Sequence, residues 1–596
     1  MIFKILSLFL IFFSLSANPI VTENDPSTLV EGVSVITGDF YTFEEDLVVP
    51  GAEPIRFQRA YVHSIGHVNQ LPHLNAHWIS GFFTVNEPNG TPVCYRHKKD
   101  NRFVVSLPST KSGVTNTASG RISARTNLKN QYLEIGEKNK YFTLYAANGA
   151  KRQYRTLKSQ KKVDLPYGGG KGYLIRFYRL ENENLPNGNK IEYTWNDQDE
   201  LIAIETKSCR SKSFAKANIS HFNAKTPSTP ATVKASFNKK LTLKQRPLDK
   251  CYVLDTIESS NLPDQTFHYE MHENKPVLNS ISLPNGRELQ IAYENSKVKT
   301  LSSRAGPTDD LIVTHTFFYE PNQKRSWVID AAGNKTAYTW NSDFRLTSIQ
   351  KFIGENALDS EERFEWQDSQ IRSKALLDAH GKLLAKREFF YDERGNVLEE
   401  IFSGIDGERA VKKTRYQNDL PTYQEENGIV STWEYIPNTN LIRSARIADV
   451  HTNYEYDEDL LLIQETIDDG VAKLVKKITP FKDGPLFGLP QSVEELGKKT
   501  IFHYGEDGLV KKRDIYDAAG KFCYAAHTEH DEKGRVTKEI NALGQESIYS
   551  YDALGNCIYS KTLEKETSLQ YDYATASSKK MKQGKLPTML MIRATI

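Results

Sequence analysis

Few residues in this sequence stand at spacings that could do chemistry. Pro166-Tyr-Gly-Gly-Gly-Lys-Gly172 has the glycines and lysine of a phosphate-cradling loop, but Gly172 and Tyr173 follow the lysine where a hydroxyl residue opening a helix is required. It reads instead as a turn between strands. His527-Thr-Glu-His530 puts two imidazoles three apart, and on a strand such residues point to opposite faces and cannot share one metal. No Gly-x-Ser-x-Gly, no His-Glu-x-x-His and no close Cys-His pair occurs. The 75 carboxylates leave a glycosidase pair open, yet nothing singles one out. No catalytic, cofactor or metal residue is therefore expected, and the chain reads as a non-enzyme.

The elements that carry the sequence are strands. Thirty Tyr and 28 Phe against five Met favour extended structure, and 596 residues exceed one ordinary core. The formal charge of +2 is spread along the chain, so no basic face points to nucleic acid. Cys94, Cys209, Cys251, Cys523 and Cys557 lie far apart and read as free or buried thiols.

One pattern recurs from about residue 185. A glycine is followed five and seven residues later by aromatic or aliphatic side chains: Gly188 by Tyr193 and Trp195, Gly286 by Ile291 and Tyr293, Gly333 by Tyr338 and Trp340, Gly428 by Trp433 and Tyr435, Gly497 by Phe502 and Tyr504, Gly544 by Tyr549 and Tyr551. A longer version runs from Gly381 to Phe389, Tyr391 and Asp392, and from Gly520 to His530 and Asp531, where a histidine replaces the tyrosine. Each copy reads as a strand with an aromatic face, a turn, and a return strand. In Asp392-Glu-Arg-Gly-Asn396 and Asp552-Ala-Leu-Gly-Asn556 the aspartate can bond its own backbone, and Gly395 and Gly555 supply the left-handed conformation. Marker glycines fall near multiples of 23 to 24 residues, so about sixteen stacked hairpins are expected between 185 and 573.

Tyr391-Asp-Glu-Arg-Gly-Asn396 and Tyr551-Asp-Ala-Leu-Gly-Asn556 resemble the YD repeat of Rhs (rearrangement hotspot) proteins, and Gly38 to Tyr61 resembles the module that precedes those repeats. The resemblance implies an all-β fold: an N-terminal β module and then an array of hairpins spiralling into a hollow shell. In that family the shell encloses a C-terminal toxin or forms part of a large surface protein. The implied partners are a toxin cargo or a downstream fragment of the same type. The self-cleavage segment that follows the repeats in toxin-bearing members is missing; the one Asp-Pro is Asp25-Pro26.

Four segments follow. Residues 1–17, with Lys4, an apolar run and small residues, read as a secretory signal peptide, so the mature protein is expected to be exported without a membrane span. Residues 18–180 form the N-terminal β module and 181–573 the repeat array, in which the Lys-, Ser- and Thr-rich stretch 207–250 reads as an insertion or linker. Residues 574–596 turn basic, Met-rich and aperiodic, as a frameshift in a longer gene would produce, leaving an unpaired edge near 571. A second reading stays open: an adhesin whose exposed Trp195, Trp340 and Trp433 stack on cell-surface glycans. Burial of these tryptophans decides between the wall and the adhesin.

Overall fold

The computed structural model describes residues 28–583 with internal gaps, the longest at 106–130. Residues 1–27 and 584–596 lie outside it, and with them the expected signal peptide. The described chain is strand and turn, relieved by single 3-10 turns at Pro72–Leu74, Ser236–Asn238 and Pro321–Gln323. No helix among the described residues is long and apolar enough to cross a membrane.

Three bodies of β-structure pack on one hydrophobic core. The first is a closed ring of Asn75–Ile79, Phe82–Asn86, Pro92–His97, Arg102–Val105, Tyr132–Ile135, Tyr141–Tyr145, Lys151–Asp164 and Gly172–Asn184. Each strand pairs antiparallel with the next, and Gly172–Asn184 returns to Asn75–Ile79 to close it. A ring of this size leaves a bore that side chains can fill. Phe83, Phe142, Tyr154 and Tyr178 fill it, with ring centroids of Phe83 4.4 Å from Phe142 and 5.4 Å from Tyr178.

The last strand of the ring is long enough to serve two partners along one edge. Arg176–Arg179 pairs with Asn75–Trp78, and Asn182–Asn184 pairs with Lys190–Glu192. From there the second body leaves as a ribbon in which every strand from Lys190–Trp195 to Ser577–Gln583 pairs with its neighbours in sequence. Such a meander puts its turns alternately on two edges. The marker glycines, from Gly188 and Gly333 to Gly497 and Gly544, occupy one; the turns at Asn341–Arg345, Asp392–Asn396, Asp457–Leu461 and Asp531–Arg535 occupy the other.

The ribbon winds. Its glycine-turn edge near 186–262 meets its aspartate-turn edge near 440–533 at nearly constant separation in sequence: 247 residues for Lys212–Asp459, 251 for Ser208–Asp459, and 271 and 274 for Lys533 with Leu262 and Ser259. A constant offset is what a helical coil gives, one winding lying against the next. Phe214 stacks on Phe487 at 5.0 Å across this seam.

The third body sits inside the coil. Tyr41–Val49, Ile55–Val62 and His67–Gln70 make a small antiparallel sheet. Its few residues reach strands far apart along the ribbon. Asn187 Nδ2 donates to Glu53, Ser259 Oγ donates to the Asp46 carbonyl, the Leu278 N–H donates to Tyr61, the Val298 N–H donates to the Gly38 carbonyl, and Ser326 Oγ donates to the Val35 carbonyl. Arg59, 1% exposed, clasps Asp46 at 3.0 Å, reaches Gln265, and lies over the Phe267 ring. Only a ribbon curled around the module allows these contacts.

Several expectations need correction. Residues 207–250 are no linker: Ser213–Ser220, Ala231–Ala235 and Lys240–Leu248 are strands of the ribbon, burying Phe214, Ile219, Leu241 and Leu243. The segment 18–180 divides into the inner sheet and the ring. Ser577–Gln583, expected to be aperiodic, pairs with Lys565–Asp572, so the edge near 571 is covered.

Gly395 has φ 96°. Gly395→Val, forcing a β-branched residue into the left-handed region, is expected to lower unfolding free energy by about 1 kcal/mol or more. Denaturant titration of the two proteins checks this, and equal midpoints would refute the turn assignment.

Candidate functional site

Asp392 and Asn396 close one turn by five bonds, of which one runs from the Gly395 N–H to the Asp392 carbonyl at 3.1 Å. The Asp392 N–H donates to the Asn396 carbonyl at 3.0 Å, Asp392 Oδ1 accepts from the N–H groups of Arg394 and Asn396, and Asn396 Nδ2 donates to Asp392 Oδ2 at 2.9 Å. Asp552 and Asn556 repeat this side-chain clasp, while Gly555 lies outside the described residues. Partial burial pushes the Asp392 carboxyl up, but the amide donors around it prevail and hold it below the usual range.

The tyrosine before each aspartate does more than pack. Tyr551 stands at a bulge, where two residues of the return strand oppose one, and its hydroxyl donates to the carbonyl of Val536 at 2.7 Å. Val536 is the residue paired with His530 at the preceding bulge. The same relation holds for Tyr504 with Pro490, Tyr456 with Ile442, Tyr435 with Pro421, and Tyr391 with Ile371. Earlier in the ribbon it holds for Trp366 with Leu346, Tyr319 with Val298, Tyr293 with Leu278 and Trp195 with Leu180. In each, the acceptor is the residue opposite the preceding copy's bulge residue, an aromatic in every case but Pro480, which faces Pro490. A bulge disrupts the ladder locally, and the next aromatic supplies a donor there.

The tryptophans answer the exposure question unevenly. Trp340 is 5% exposed and belongs to the core. Trp195 is half-buried, its indole N–H donating to Leu180 and Arg179 lying over its ring. Trp433 is half-buried opposite Ala445. None stands out as a free stacking platform. Along the ribbon, the aromatic face is buried at Tyr338, Phe364 and Phe389, and half-exposed at Trp433, Phe502 and Tyr549.

Sequence reasoning missed one cluster. Between ring and ribbon, Glu183 accepts from Arg152 Nε at 2.7 Å and from the Tyr193 hydroxyl at 2.6 Å, with His73 Nε2 3.3 Å from that hydroxyl. All four are buried. Burial drives the His73 imidazole down to about 4, and Arg152 adds to it against the pull of Glu183, so His73 is neutral and its 3.7 Å approach to Glu183 is no ion pair. Burial acts to raise Glu183, but Arg152, His73 and the Tyr193 hydrogen bond bring it below the usual range. Members up to 120 residues apart left no local signal. The cluster has the parts of an acid-base site, yet it is sealed, and it joins the ring to the first hairpin.

No group of three or more possible metal ligands occurs among the described residues. Cys209, Cys251 and Cys523 are free thiols. His530 is half-buried, with Lys511 Nζ 3.5 Å from its Nδ1. Of Pro166–Gly172 only Gly172 is described, opening its strand.

A family model described as a domain of unknown function, DUF6531, matches residues 31–97, the inner sheet and the start of the ring. No curated protein matches the chain. Among solved structures, TcdB2-TccC3 without its hypervariable C-terminal region is 11% identical, with 91% of this chain and 32% of that chain covered and a TM-score of 0.40. The Photorhabdus luminescens Tc holotoxin pore gives 9%, 91%, 33% and 0.23. The N-terminal domain of the effector SpvB from Salmonella typhimurium gives 10%, 42%, 100% and 0.18. The chain thus spans about a third of the length of the Tc structures it matches.

Two outcomes follow. Tyr551→Phe is expected to cost about 1 kcal/mol, the worth of one hydrogen bond, and His530→Tyr, which restores a donor toward Val510 opposite the Tyr504 bulge, to raise the melting temperature; calorimetry of both reads the signs. The second concerns pH. An unfolded histidine takes up a proton below about 6.5, whereas folded His73 does so only near 4. Stability is therefore full above pH 6.5 and falls by up to about 3 kcal/mol as pH drops to 4. Burial also lowers His63, His77 and His315, so His73→Gln should flatten the slope only in part, as urea melts between pH 4 and 7 would show.

Proposed function

We propose that this protein is an exported, non-enzymatic scaffold whose coiled ribbon forms the wall of a shell around a polypeptide. The observation that carries the reading is the inner face. Under the first winding it is filled by the chain's own N-terminal sheet, and under the second, from about Trp433 to Tyr549, the same aromatic face is half-exposed toward the inside. A surface of spaced Tyr, Phe and Trp, interrupted by ion pairs such as Arg387–Glu400 and Lys476–Glu465, suits contact with an unfolded or loosely folded chain more than recognition of one small molecule. The opposite face carries exposed ion pairs such as Lys499–Glu494, which favour solubility and add little stability. Resemblance to Rhs repeats supports a toxin as the enclosed polypeptide, and the leader-like residues 1–17 support export.

The test is protection. An unfolded reporter polypeptide appended after Ile596 is expected to survive protease that digests the reporter alone, and to lose protection when Phe502 and Tyr549 are changed to Asp. Digestion at the same rate with and without the shell would remove the proposal.

A further inference from the structure

Histidine is scarce and clustered in this chain. Of 14 histidines, His63, His67, His73 and His77 fall within the one stretch that carries the chain from the inner sheet into the ring. Both ends of that stretch are docked. His63 places its N–H on the Phe40 carbonyl and stacks its imidazole on Tyr293 of the ribbon, with centroids 4.3 Å apart. Tyr293 is one of the aromatics that lock successive hairpins, and Tyr61 accepts the Leu278 N–H beside it. At the other end Leu71 donates its N–H to Gln58 of the inner sheet, and the buried turn Pro72–Leu74 brings His73 against Glu183 of the ring and Tyr193 of the ribbon. His73 therefore stands where all three bodies meet.

The bonds fix which form of the imidazole fits. The Tyr193 hydroxyl gives its one proton to Glu183 at 2.6 Å, so toward His73 Nε2 at 3.3 Å it can only accept, and Nε2 carries the hydrogen. Nδ1 is then bare. It is buried and meets no hydrogen-bond partner among the described residues, and His63 Nδ1 is likewise buried without one. A second proton on either ring creates a buried N–H with nothing to accept it. Burial is the main force against that proton at both rings. At His73, Glu183 pulls the other way and Arg152 sides with burial, while the Tyr154 hydroxyl is spent on the His73 carbonyl. At His63, Asp39 and a hydrogen bond to the Ser296 backbone pull the other way, and His272 and Lys275 side with burial. His272 is itself held by Glu270 at 2.7 Å. His77, on the first strand of the ring, is lowered by burial alone.

We propose that the stretch from His63 to His77 is an acid-sensitive strap, which seats the inner sheet and the ring against the ribbon while its imidazoles are neutral and lets go of the first winding when they take up protons. At neutral pH the joint holds and the unfilled second winding is the weaker part; in acid the order is reversed. The strap acts on the joint and not on the inner face of the second winding. It is therefore independent of the reading of the wall as a shell around a polypeptide, and the two can fail separately.

The experiment is hydrogen exchange of the full chain, read peptide by peptide and corrected for the intrinsic rate at each pH. A released imidazole takes up its proton near 6.5 and a seated His73 only near 4, so protection of residues 55–63, 71–78 and 190–195 is expected to fall at least about tenfold between about pH 7 and about pH 4.5. Residues 335–353, in ribbon strands away from the strap, are expected to keep theirs. The variant carrying His63→Gln and His73→Gln has amides that do not titrate, and it should lose most of the acid response. Each single variant should lose part of it, and serves where the double variant does not fold. Unchanged protection in the wild type, a loss spread evenly over the chain, or a full acid response in the variants overturns the proposal.

Discussion

The ribbon depends on a hydrogen bond that spans hairpins. A turn of the form Tyr-Asp-x-x-Gly-Asn closes on itself, and its return strand carries one residue too many, so the pairing shifts beside the aromatic: Phe390 faces Glu399 while Tyr391 faces Val397. Such bulges bend and twist a strand, which curls the sheet. They also break the ladder inside a water-poor face, where a carbonyl needs a donor. The hydroxyl or indole N–H of the next copy fills the place, from Trp195 through Tyr391 to Tyr551. Bending and locking thus come from one residue type at one position, and each copy that carries it is tied to its predecessor.

Winding follows from repeated bending, but the coil needs a filling. In the first winding the inner sheet supplies it, with Val35, Phe57 and Tyr61 fully buried against strands from Tyr193 to Trp340. Burying large apolar side chains is worth roughly 1.5 to 3 kcal/mol each, more than the locks contribute singly. The second winding lacks that filling. Its hold comes from the seam to the first, from the turn clasps and from the locks, so loss of one lock matters more there.

What was legible in the sequence is what is local. Aromatics two apart after a glycine, and an aspartate four residues before an asparagine, are set by the period of a strand and the closure of a turn, and both fit in a window of a dozen residues. The hairpin array could be read from them. The stretch 207–250 misled because inward positions are small: Ala215 and Ala217 face the inside where Gly51 of the inner sheet comes close, so the alternation has little hydrophobic contrast. The partner of each tyrosine hydroxyl was not legible, since the acceptor is a backbone carbonyl and leaves no side-chain signature. Nor was the Arg152, Glu183, Tyr193 and His73 cluster, whose members meet only because the ring closes on Gly172–Asn184 at the point where the ribbon departs.

The breaks in the lock series bear on how the molecule comes apart. Pro480 occupies a bulge position with no donor, His530 occupies another, and Tyr269 in the first winding has a buried hydroxyl that reaches no acceptor. The first two lie in the second winding, where the inner face is half-exposed. In a repeat array stability is a sum of units and their neighbour contacts, so missing neighbour terms mark where cooperativity is weakest. Local opening draws on regions with few buried contacts. The ring, the inner sheet and the first winding, tied by the Arg59–Asp46 pair and the Glu183 cluster, therefore form the stable base, and the second winding opens first, between Pro480 and His530.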